Sequence, residues 1–109
     1  MSASQRLKGA AAEREVVHIL HRHGWGFAER TSNGRGQTGR GDIAHGPAGC
    51  HIEVKRQERL NVPAALDQAI RDANSLDVPI VIHRPSRHEW MATLPLEDLL
   101  DLLALKERG

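Results

Sequence analysis

His51-Ile52-Glu53-Val54-Lys55 reads as a β-strand, and its alternation sets how the rest of the chain is interpreted. Side chains two residues apart share a face, so Ile52 and Val54 point one way, Glu53 and Lys55 the other. The apolar pair is β-branched, which suits a pleated, half-buried surface. Glu53 and Lys55, side by side on a rigid strand, form a platform for paired charges. The plainer reading is an edge strand with a solvated polar face and an i, i+2 ion pair.

Just upstream, Asp42 opens a second short strand, 42–44, which Gly46-Pro47 turns. It follows the segment 31–41, Thr-Ser-Asn-Gly-Arg-Gly-Gln-Thr-Gly-Arg-Gly, which has no apolar side chain and reads as a loop. Pairing of the two strands brings Asp42 and Glu53 close enough to share a cation. Neighbouring carboxylates repel, and a hard divalent ion relieves the repulsion through oxygen ligands. Taken alone, Gly41-Asp42 is also an ordinary turn pair.

Residues 8–23 read as a helix closed by Gly24. At about 100° per residue, Gly9, Ala12, Val16, Val17 and Leu20 form an apolar stripe, with Glu13 in its middle and Glu15 nearly opposite. A carboxylate on a core-facing stripe must be paired, protonated or metal-bound. The bland alternative for Glu13 is a salt bridge to Lys55 or to an arginine.

The remaining chain supplies a short strand at 26–30, a helix at 63–76 opening on Pro63, and an apolar strand at 79–83. A turn at 85–88 leads to a strand at 89–94 and a final helix at 96–106, with Leu96, Leu99, Leu100 and Leu103 at helical spacing. The order α-β-β-β-α-β-β-α implies an α/β (α+β) mixed sheet covered by helices. At 109 residues, one domain over 1–109 is expected.

Composition narrows the function classes. A 39% hydrophobic content suits a globular chain, not a disordered one. No apolar run approaches the roughly 18 residues of a membrane span, and no signal-peptide pattern opens the sequence, so a cytoplasmic protein without a membrane partner is expected. Cys50 is the one cysteine, which excludes an internal disulfide. Residues 1–60 carry 10 Lys/Arg against 6 Asp/Glu and residues 61–109 carry 5 against 8, so the net +1 divides into +4 and −3. A basic half with arginines on glycine-rich segments suits a polyanion.

His18, His21 and His23 crowd the end of the first helix without an evident third zinc ligand. No Gly-x-x-x-x-Gly-Lys-Ser/Thr loop occurs, so no nucleotide cofactor is expected. Trp25 and Trp90 read as core or interface anchors.

Lys8-Gly9-Ala10-Ala11-Ala12-Glu13-Arg14-Glu15, Gly41-Asp42-Ile43 and Ile52-Glu53-Val54-Lys55 together resemble the PD-(D/E)xK nucleases, and most closely the archaeal-type and phage-encoded Holliday junction resolvases. Gly41 stands where the family pattern has proline. The resemblance implies a restriction-endonuclease-like core and a metal-dependent, structure-selective DNA endonuclease. It assigns Mg2+, with Mn2+ as a substitute, to Asp42, Glu53 and the Val54 backbone carbonyl, and a metal-held water or second ion to Glu13. Lys55 would orient the nucleophile. DNA contacts would fall to Lys8, Arg14, Arg30, Arg35, Arg40 and Arg56, with Gln68 matching a glutamine of some relatives or lying simply at the surface. The expected partners are four-way or other branched DNA and a second copy of the chain. The alternatives are a restriction-like, repair or end-processing nuclease, and a DNA-binding module without turnover.

Overall fold

The computed structural model describes residues 3–31 and 41–109. Helix α1 (Ala3–Arg22) is followed by strands β1 (Glu29–Arg30), β2 (Ile43–Ala44) and β3 (Cys50–Lys55). Helix α2 (Val62–Asp72), strands β4 (Val78–His83) and β5 (Met91–Thr93), and helix α3 (Leu96–Arg108) complete the chain. No helix among the described residues is long and apolar enough to cross a membrane.

The strands do not form one continuous sheet. β3, β4 and β5 make a mixed three-stranded sheet, with β3 and β4 parallel and β4 and β5 antiparallel, while β1 and β2 pair separately. The parallel register sets Glu53 beside Val81 and Lys55 beside His83. α2 supplies the crossover that a parallel β3–β4 pair requires.

The two faces of this sheet differ in chemistry. Ile52 and Val54 point toward α1, where Ala12, Val16, Val17 and Leu20 bury them together with Ala28 and Ile43. The apolar stripe read along α1 is thus the core-facing one, apart from Gly9, which stays partly exposed. On the other face Val81 packs against Ala65 and Ala69 of α2. Leu66 packs against this cluster from its margin, and Ile70 remains half exposed. Two alanines let the helix backbone approach the sheet closely, so the small residues go inward and the branched one is left outside.

α2 is well delimited. Asn61 caps it by accepting the N–H of Ala64 at 3.1 Å, Pro63 sits in the first turn, and Ala73 turns to extended backbone. The helix therefore stops short of residue 76. α3 keeps its leucines at helical spacing but does not enter the core. None of its residues is buried, and Leu96, Leu99, Leu100, Leu102, Leu103 and Leu105 are all substantially exposed. The remaining anchor of the hairpin is Arg84, which lies over the Trp90 ring at 5.0 Å and pairs with Glu15 of α1 at 3.0 Å.

Candidate active site

The site is built on the free edge of β3. Gly49 and Lys55 carbonyls accept from the β4 side, so the even-numbered residues of β3 direct their backbone groups to the opposite edge. Asp42 occupies that edge. Its N–H donates to the Ile52 carbonyl at 2.8 Å, and its Oδ2 accepts the Val54 N–H at 2.7 Å. A side chain thus takes the place of the strand that would otherwise pair there. Because a strand residue sends its N–H and C=O to the same edge, the Val54 carbonyl opens toward Asp42 as well.

Gly41 makes this approach possible. Its φ is +66°, and a Cβ at this position would lie 2.5 Å from the Ile52 carbonyl oxygen. Proline, fixed near −65°, cannot adopt this backbone. Glycine at 41 is therefore required by how Asp42 docks. Thr31 steadies the approach, its Oγ1 donating to the Gly41 carbonyl at 2.9 Å and its N–H to the Asp42 carbonyl at 3.0 Å.

Two further carboxylates flank Asp42. Glu53 leaves the α2 face of β3, and its charge acts on Asp42. Burial first, and the Glu53 charge second, push Asp42 from the ordinary 3.8 up to about 7, against the opposing pull of the Val54 N–H and the Lys55 charge. Glu13 comes from α1 on the other side. Its carboxyl is raised above the ordinary value by burial, with the Asp42 charge adding to the rise and the Arg30 and Arg14 charges opposing it. Asp42 is the middle member of the three.

Not every candidate is available in the same way. Arg30 Nε donates to Glu13 Oε1 at 2.9 Å, so the salt-bridge reading of Glu13 holds, with Arg30 as its partner. Arg56 is tied to Glu58 and Ser86, both at 3.0 Å. Lys8 and Arg14 are exposed on α1, and Gln68 is exposed on α2. Arg35 and Arg40, with the loop reading of 31–41, fall on residues 32–40, outside the described residues. Lys55 is half-buried and makes no ion pair with a carboxylate among the described residues.

One residue of the site carries no role in the sequence reading. His51 is fully buried, and its Nε2 lies 2.9 Å from Glu53 Oε1. The strand parity that pairs Glu53 with Lys55 also sets His51 on their face, and this is the signal that could have found it.

Among the described residues, no cluster of three or more His, Cys, Asp or Glu is arranged to hold a metal ion. Two adjacent carboxylates that repel each other nevertheless suit Mg2+, which keeps several waters and binds through one or two carboxylates plus substrate phosphate oxygens. The donor set present fits that ion. It does not fit an all-protein cage.

Comparison with family models, with curated proteins and with solved structures finds no match to this chain.

Proposed function

We propose that this chain is a Mg2+-dependent, structure-selective DNA endonuclease of the PD-(D/E)xK type, a Holliday junction resolvase. One observation carries the proposal: Asp42 is locked by its own side chain onto the free edge of β3, within the fields of Glu53 and Lys55. α1, β1 to β5 and α2 are read as the restriction-endonuclease-like core that serves this edge.

Asp42 and Glu53 would hold the divalent ion, with the Val54 carbonyl on the same edge. The ion, when bound, polarises the phosphoryl group and lowers the pKa of water. Lys55 supplies a compact positive charge beside the carboxylates, suited to orienting the attacking water and to offsetting charge that builds on the phosphoryl oxygens. Glu13, braced by Arg30, sets the far wall of the site and orders water there. Lys8 and Arg14 offer charge to flanking phosphates along the exposed side of α1, the kind of contact that gives affinity without reading sequence. The family pattern implies ends bearing 5′-phosphate and 3′-hydroxyl.

A four-way junction presents symmetry-related strands, and a two-fold dimer would place one site at each. α3 suits the contact. Its apolar side is uncovered, its first turn holds Glu97 and Asp98, and its last holds Lys106 and Arg108. Two antiparallel copies would set acid against base while joining the leucines.

Purified protein in Mg2+ is assayed on a synthetic four-way junction beside linear duplex, single-strand and flap DNA. The expected result is paired symmetric incision of the junction. Lys55→Ala and Asp42→Asn should lose at least about 10²-fold in rate, with DNA binding measurable in at least one of them. Preferential cutting of duplex or flap substrates would instead indicate a restriction-like, repair or end-processing nuclease. Binding without cutting in either Mg2+ or Mn2+ would indicate a DNA-binding module. Robust cutting by Asp42→Asn would overturn the site.

A further inference from the structure

His51 stands two residues before Glu53 on β3, so both side chains leave the same face of the sheet. Among the described residues it is the largest fully buried side chain. Its two ring nitrogens have opposite fates. Nε2 lies 2.9 Å from Glu53 Oε1, while Nδ1 is buried with no hydrogen-bond partner among the described residues.

A carboxylate oxygen accepts, so the ring donates this bond through its Nε2–H. A buried polar atom without a partner calls for an explanation beyond packing. A leucine or phenylalanine would fill the space without stranding a nitrogen. The contact that distinguishes an imidazole here is the one to Glu53. With Oε1 held by the ring, the last torsion of Glu53 is fixed and Oε2 is left for other partners.

We propose that His51 is a positioning residue: its Nε2–H clamps Oε1 of Glu53 so that Oε2 is presented, ready-oriented, to the divalent ion shared with Asp42. This rests on the nuclease reading above, and it adds a residue that the Asp42, Glu53, Lys55 pattern does not contain. Carboxylates that ligate metals are themselves hydrogen-bonded from behind, and losing that support typically weakens metal binding by about 10- to 100-fold.

The test compares Mn2+ affinity by calorimetry for the wild type, His51→Leu and His51→Gln, with unfolding midpoints of the metal-free proteins as the control. A glutamine amide can donate from nearly the position of Nε2. The expected result is a loss of about 10-fold for His51→Leu, with most of the affinity recovered in His51→Gln. Nitrogen-15 spectra of the metal-free wild type should show a hydrogen on His51 Nε2. This readout needs neither metal nor variant, and so stands even if His51→Leu does not fold. Equal affinity in the wild type and His51→Leu, equal weakness in the two variants, or an Nε2 that carries no hydrogen would overturn the proposal. A wild type that binds no Mn2+ would overturn the nuclease reading itself. That outcome is distinct from wild-type binding that is indifferent to His51.

Discussion

Asp42→Asn isolates the electrostatics of the site from its chemistry. Asparagine keeps an oxygen for the Val54 N–H, now 2.7 Å from the aspartate, and removes the charge that Glu53 opposes. In the metal-free protein Asp42 titrates near 7 instead of 3.8. A carboxyl raised in the folded state takes up its proton on folding, so stability falls as pH rises from about 4 through about 7. The full displacement corresponds to on the order of 4 kcal/mol at about 1.4 kcal/mol per pKa unit. Glu53 relaxing toward water reduces this, and a gain on the order of 2 kcal/mol is expected for Asp42→Asn at pH 8. Urea unfolding in EDTA would register it as a midpoint increase of about 1 M. At pH 4 the two proteins should coincide. Adding Mn2+ at about 100 times its dissociation constant should return roughly 2.7 kcal/mol to the wild type and little to the variant. A variant no more stable than wild type at pH 8, or a gap that does not change with pH, would refute the reasoning.

Gly41→Ala sets a methyl group 2.5 Å from the Ile52 carbonyl oxygen at a φ of +66° and should lose about 2–3 kcal/mol, a fall of about 10 °C or more in Tm by calorimetry. It should also reduce cleavage, since the same backbone carries Asp42. Arg30→Ala strands the half-buried Glu13 carboxylate and raises it further above 4.5. The raised carboxyl makes stability fall as pH rises through it, so the loss should be about 1–2 kcal/mol at pH 8 and smaller at pH 4.5, read by denaturant titration. Leu100→Glu combined with Leu103→Glu changes only exposed positions, so the monomer fold should survive while light scattering shows a dimer becoming a monomer and the unfolding midpoint loses its dependence on protein concentration.

Much of the sheet was legible because strand parity is a strict rule. Ile52 and Val54 on one face and Glu53 with Lys55 on the other follow from alternation alone, and Ala12, Val16, Val17 and Leu20 follow from the helical repeat. Helical periodicity was less informative at α2 and α3, because it marks an apolar side without saying what covers it. At α2 the sheet accepts Ala65 and Ala69, whose small size matters more than hydrophobicity. At α3 the leucines face outward. The partner of Glu13 was left open between Lys55 and an arginine, since a contact across 17 residues depends on how β1 docks, and it is Arg30. Gly41 looked like a minor departure until the positive φ and the nearby carbonyl gave it a reason. His51 was hidden because alternation alone does not say which polar residue of a face is buried, and its partner stands two residues on along the same face.

The most direct test of the account is a crystal soaked in Mn2+ and measured at the manganese absorption edge. The account predicts an anomalous peak between Asp42 and Glu53, on the Val54 carbonyl side of β3. A density map with the two carboxylates turned apart and no peak between them would contradict it.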